Sequence, residues 1–105
     1  MSKIRAIVKR ADEKYGHMTN VSNTLKNLQN IVDGPIEVVS ITENIACICN
    51  EEGKLRGLPK NFILGQVMKD VIVGDVIIVG VDGEDFCDLD LQFGTWKILL
   101  DSWGN

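Results

Sequence analysis

Near the start of the chain, Ile4, Ala6 and Val8 alternate with Lys3, Arg5, Ile7 and Lys9. A period of two with one wet side predicts a β-strand. Residues 10–16 are polar and turn the chain, and residues 17–21 read as a returning strand. The period then changes. Leu25, Leu28 and Val32 recur at i, i+3 and i+7 with Ile31 beside them, while Lys26, Asn27, Gln29 and Asn30 lie opposite. One apolar stripe of this kind predicts an amphipathic helix. Ser22 or Asn23 offers the side-chain oxygen for its N-cap. Gly34 suits a left-handed C-cap, and Pro35 prevents continuation.

Residues 36–41 and 44–49 are two β-branched runs around a turn at Thr42, Glu43 and Asn44, the pattern of a hairpin. Pro59 suits the first position of a single helical turn over residues 59–64. Residues 71–73 and 76–81 are strand-like, and Val81-Asp82-Gly83-Glu84 carries a turn signal. Leu89, Phe93, Trp96, Leu100 and Trp103 are spaced 4, 3, 4 and 3, which predicts a C-terminal helix capped by Asp88 or Asp90. Gly94 within it costs about 1 kcal/mol relative to Ala and favours a late start. The expected fold is α+β, a single antiparallel-rich sheet packed with one central helix and a C-terminal helix. It forms one domain over residues 1–105.

Composition agrees with a globular chain, at 45% apolar and 25% charged residues. A formal charge of −4 argues against direct nucleic-acid binding, which favours a basic stripe. The sign is uneven. Lys3, Arg5, Lys9, Arg10 and Lys14 crowd the first strand and turn, whereas Asp82, Glu84, Asp85, Asp88 and Asp90 fall in a stretch without a base. Cys47, Cys49 and Cys87 are an odd count with no framework spacing and no signal peptide before them, as in a soluble protein of a reducing cytoplasm. The longest apolar run, residues 71–81, is interrupted and too short to span a bilayer, so no membrane partner is expected.

Candidate chemistry is sparse. On a strand Cys47 and Cys49 share a face, and Cys87 with His17 would complete four zinc ligands, but structural zinc uses two paired spacings and only one Cys-x-Cys exists. The better reading is that of small buried hydrophobes, with no metal and no cofactor. His17 is the sole histidine and has no nucleophile motif near it. The acids all sit in turns, where they are expected for solubility. Gly53-Lys54-Leu55-Arg56-Gly57 has the wrong order for a phosphate loop. No enzyme is indicated. A dense negative patch at Asp82, Glu84, Asp85, Asp88 and Asp90 can instead imitate phosphates and occupy a partner's basic groove. Glu51 and Glu52 extend that patch if the fold joins the two turns. Trp103, close to the chain end, becomes a hydrophobic anchor if it stays exposed.

The most informative stretch is Cys49-Asn50-Glu51-Glu52-Gly53-Lys54-Leu55-Arg56-Gly57-Leu58-Pro59-Lys60-Asn61, too rich in Gly, Pro and charge for a core element. Asn50, Lys54, Arg56 and Asn61 are its candidate binding groups. Together with Leu25-Lys26-Asn27-Leu28-Gln29-Asn30-Ile31-Val32, Asp70-Val71-Ile72-Val73-Gly74, Ile78-Val79-Gly80 and Gly83-Glu84-Asp85-Phe86, this stretch resembles a family of small proteins of unknown function from phages, plasmids and integrative elements of Firmicutes. The likeness covers about residues 24–87. The polar connection over residues 10–21 and the Trp-rich tail after Asp88 depart from it.

The resemblance transfers no catalytic residue; it implies an accessory protein of a mobile element. The first expectation is a non-enzymatic anti-defence (anti-CRISPR) protein. Its partner is a host nuclease effector or its ribonucleoprotein complex, a type II CRISPR nuclease foremost. The alternatives are a sponge for nucleotide signals built on the 50–61 loop, and a structural or regulatory protein of the element. A sponge is expected to be an oligomer with a shared pocket; the other readings fix no oligomeric state.

Overall fold

The computed structural model describes residues 2–105. In chain order the elements are β1 (Lys3–Lys9), β2 (His17–Ser22), α1 (Leu25–Val32), β3 (Ile36–Thr42), β4 (Ile45–Asn50), β5 (Lys60–Leu64), β6 (Asp70–Val73), β7 (Val76–Asp82), β8 (Asp85–Cys87) and α2 (Phe93–Ser102). The fold is α+β. The main sheet runs β2-β1-β7-β4-β3, with β8 also on β7, and β5 and β6 form a second, small sheet. Every pairing is antiparallel. Among the described residues no helix is long and apolar enough to cross a membrane.

Strand alternation divides the core. Val76, Ile77, Ile78 and Val79 of β7 are all fully buried, because both faces of this central strand are covered. One face gathers Ile4, Ala6, Ala46, Ile48, Ile77 and Val79 under Leu28 and Val32 of α1. The other gathers Ile7, Cys47, Cys49, Val76 and Ile78 under Trp96 and Leu100 of α2 and under Phe62 and Ile72 of the small sheet. Each parity of β4 and β7 thus fills a different core, as the pleat requires.

Thr24, one residue past the expected caps, supplies the cap of α1, accepting the Asn27 N–H at 3.2 Å. The left-handed residue at its other end is Asp33, at φ 64°, immediately before Gly34. Leu25 opens the stripe but stays 59% exposed, since the first helical turn overhangs the sheet. Residues 60–64 form β5 rather than a helical turn. Phe62 is buried in the middle of that strand, and the Pro59 carbonyl accepts the Gly74 N–H at 2.7 Å, so tertiary pairing overrides the local preference. Helix α2 does start late, at Phe93, and its N-cap is Gln92 without a side-chain bond. Asp88 caps nothing there; its carboxylate accepts the backbone N–H of Arg5 at 2.7 Å and binds β1 instead.

Trp103 does not stay exposed, so the condition for a surface anchor is not met and the stripe packs into the core. Trp103 is only 6% exposed, stacked on Phe62 at 6.2 Å and edge-on to Trp96 at 6.2 Å. Phe62 and Trp96 meet edge-on at 5.8 Å and close a three-ring cluster. Trp96 Nε1–H donates to the Tyr15 carbonyl at 2.9 Å, and Lys69 Nζ donates to the Trp103 backbone carbonyl at 2.9 Å. The Asn105 side chain bonds both the N–H and the C=O of Ile63, at 2.7 and 2.8 Å, imitating a strand partner on β5.

Candidate functional site

The central segment, residues 50–61, leaves β4 and reaches β5 through successive turns. Asn50 is buried at 4% exposure. Its Nδ2 donates to the Val32 and Asp33 carbonyls at 3.1 and 2.9 Å, and its Oδ1 accepts the Glu52 N–H at 2.8 Å. Arg56 converges on the same point, with Nη1 on the Asp33 carbonyl at 2.6 Å and Nη2 on the Asp33 carboxylate at 3.0 Å. Helix ends leave carbonyls without intrahelical partners and favour cations, so the two residues together close α1. A Cβ on Gly34 would lie 2.7 Å from Asn50 Nδ2, so this approach needs glycine.

Asn61 forms a second clamp. Its Nδ2 donates to the Lys9 and Gly74 carbonyls at 2.9 and 2.7 Å, and its Oδ1 accepts from Lys9 Nζ at 2.6 Å. Lys9 Nζ also donates to the Glu13 carbonyl at 2.7 Å and lies 5.8 Å from the Phe62 ring centre. Burial lowers the Lys9 pKa from its usual 10.5, partly opposed by the Glu13 charge. Asn50 and Asn61 are therefore bonded within the chain through both their amide nitrogen and oxygen, and Arg56 through two of its five N–H donors. Lys54 and Arg56 both lie at the surface, Lys54 in an exposed ion pair with Asp70 at 3.0 Å. Nothing in the local sequence distinguished a clamp from a ligand; the partners, Asp33 and Lys9, are remote in sequence.

Cys47 and Cys49 do share a face of β4. Cys47 is pushed well up by its hydrogen bond with Cys49 and by burial, and the same bond brings Cys49 down. The Cys49 thiol donates to Glu37 Oε1 at 3.8 Å. Cys87 pairs across from Gly80 on β8, and His17 stands on β2 with Nδ1 3.2 Å from Glu13 Oε2. Among the described residues no three His, Cys, Asp or Glu side chains converge as metal ligands.

Two surfaces remain. At one end of the main sheet, Asp82, Glu84 and Asp85 are exposed around the β7–β8 turn, where Gly83 takes φ 64°. The Val81 N–H donates to the Asn44 carbonyl at 2.8 Å, so exposed Glu43 of the β3–β4 turn stands alongside. Among the described residues none of these four carboxylates has an ionic partner. Asp90 is exposed beyond β8. Glu51 and Glu52 do not join the patch. Because β4 runs antiparallel to β7, with Ile45 facing Gly80 and Ile48 facing Ile77, they emerge at the opposite end, roughly 20 Å away at the usual strand rise.

At that opposite end lies a cavity of about 230 Å³ between β3, β4 and β6, lined by Glu37, Val39, Cys49, Glu51, Lys54 and Asp70 among others. Glu37 is not a site candidate in the sequence, because only the position of β3 at the sheet edge gives it a groove to face.

No curated protein and no solved structure matches this chain. A profile described as a domain of unknown function, DUF3846, matches residues 4–99, and the chain belongs to that family.

Proposed function

We propose that the protein acts by binding, as an anti-defence accessory protein of a mobile element that occupies the basic nucleic-acid groove of a host nuclease, a type II CRISPR effector first among them. The observation that carries the reading is the β7–β8 turn, which projects Asp82, Glu84 and Asp85 beside Glu43 with no ion-pair partner among the described residues. Carboxylates gathered on one turn concentrate negative charge as a phosphate backbone does, and they steer association in a salt-dependent way. The body beneath is stiff, with β8 locked to β7 at three consecutive residue pairs. The resemblance to families of mobile elements supplies the cellular context.

The test is capture of the nuclease by the tagged protein at low salt, followed by cleavage assays with the order of addition varied. Reversal of Asp82, Glu84 and Asp85 to lysine leaves the fold intact, because all three side chains are exposed, and is expected to abolish capture. Undiminished capture by that variant rules out phosphate imitation; no capture by the unaltered protein rules out this effector. A nucleotide sponge built on residues 50–61 draws less support, since all four of its candidate groups already hold partners within the chain.

A further inference from the structure

The edge of the main sheet carries a second surface, independent of the acidic turn and at the other end of β4. Among the described residues β3 pairs only with β4, so its outer edge is open. The register decides which groups face outward. The Glu51 N–H donates to the Pro35 carbonyl at 2.8 Å, and the pairs Ile36–Asn50, Glu37–Cys49 and Val38–Ile48 continue in step. Bonded and non-bonded pairs alternate along an antiparallel ladder. Glu37 and Val39 therefore aim their peptide groups at β4, and Ile36, Val38 and Ser40 aim theirs away from it. The side chains of Glu37 and Val39 meanwhile line the 230 Å³ cavity whose far wall is β6.

Charge in that groove is unbalanced. Glu37, Glu51 and Asp70 face a single cation, Lys54, whose ammonium is already 3.0 Å from Asp70. We propose that the β3 edge and its groove bind an extended basic segment of a partner protein by strand addition. A lysine or arginine stands across from Glu37, and an apolar residue, two positions along, stands across from Val39. The partner's backbone bonds the outward peptide groups of Val38 and Ser40, and its basic side chain meets the two carboxylates, Glu37 and Glu51, that lack an ionic partner among the described residues. A second copy of this chain fits less well. Antiparallel self-pairing centred on Val39 sets Glu37 against Ile41 and leaves both carboxylates uncompensated.

The experiment titrates the full chain with a blocked peptide that alternates threonine with lysine, valine and lysine, beside a counterpart with glutamate for lysine, by calorimetry. Binding of the lysine peptide alone is expected, weakened at least tenfold by Glu37→Lys. Val38→Pro is expected to abolish binding while the thermal melt stays cooperative, because proline is tolerated where an edge N–H faces solvent. If that variant does not fold, N-methylation of alternate peptide amides replaces it: one methylated set binds and the other does not. The proposal is overturned by equal binding of both peptides, by no binding at millimolar concentration, by indifference to Val38→Pro and to methylation, or by a dimer that Val38→Pro dissociates.

Discussion

Asn50 closes helix α1 from the neighbouring strand, and removing its amide tests whether the central segment serves the fold. Asn50→Ala deprives three backbone groups of a partner. The Val32 carbonyl is bonded in a buried setting, and an orphaned buried group costs about 1–3 kcal/mol. The Asp33 carbonyl keeps Arg56 Nη1 at 2.6 Å and loses little. The Glu52 N–H belongs to an exposed residue and recovers water. Adding the small void left by the amide, the expected loss is about 2–4 kcal/mol, a large share of the stability of a domain this size. Urea denaturation followed by tryptophan fluorescence measures it, because Trp96 and Trp103 are both buried in the core. A loss under about 0.5 kcal/mol refutes the clamp. Asn50→Asp sharpens the test. It keeps the shape but turns the donor into an acceptor facing two carbonyls at a helix C-terminus. Folding then raises that carboxyl's pKa, so the variant's deficit is smallest below the unfolded value near 3.9 and grows as pH rises through the folded one. A deficit independent of pH contradicts the assigned donor.

Two further outcomes follow from the core. Trp103→Ala removes one ring of the Phe62–Trp96–Trp103 cluster and is expected to cost about 3–5 kcal/mol, read as a lowered urea midpoint; a near-neutral effect returns Trp103 to the surface. Lys9 holds its proton less tightly folded than unfolded, so the unfolded chain binds more protons in the alkaline range below 10.5. Stability of the unaltered protein relative to Lys9→Met is therefore expected to rise with pH as it approaches 10.5, and a falling difference in denaturation series contradicts the burial argument.

Much of the fold is legible in the sequence where period and punctuation agree. The alternation at Ile4, Ala6 and Val8, the Leu28–Val32 stripe before Gly34, and the two β-branched runs around Glu43 each rest on residues close in the chain. The expected wet face of β1, however, is wet only at Lys3 and Arg5, Ile7 and Lys9 being buried under the second core and the Asn61 clamp. Misreadings fall where distant partners decide. Pro59 resembles a helix start until Val73 pairs with Lys60. Phe86 and Cys87 stand out between the acids as apolar anchors, but the strand they form is not legible, since only the offset of β1 from the far half of β7 leaves β8 its place. The 4-3-4-3 apolar spacing correctly marks Trp96, Leu100 and Trp103 as one face, but the burial of Trp103 depends on Phe62. The candidate site was half legible. Acids in the β7–β8 turn announce themselves by density, whereas the groove at Glu37 exists only because β3 ends the sheet and β6 folds over it.

The place of β7 has a consequence for synthesis. The hairpins β1–β2 and β3–β4 are local and can form as soon as they leave the ribosome, yet within the sheet they are joined only through β7, which is made after most of the chain. Until then each hairpin displays an unpaired edge, and the strand joining them is a run of Val and Ile. Non-local pairing of this sort slows folding and leaves sticky edges open meanwhile. The nascent chain must therefore hold two finished halves apart and unite them in one late step. A product truncated before Val76 has no centre to fold around.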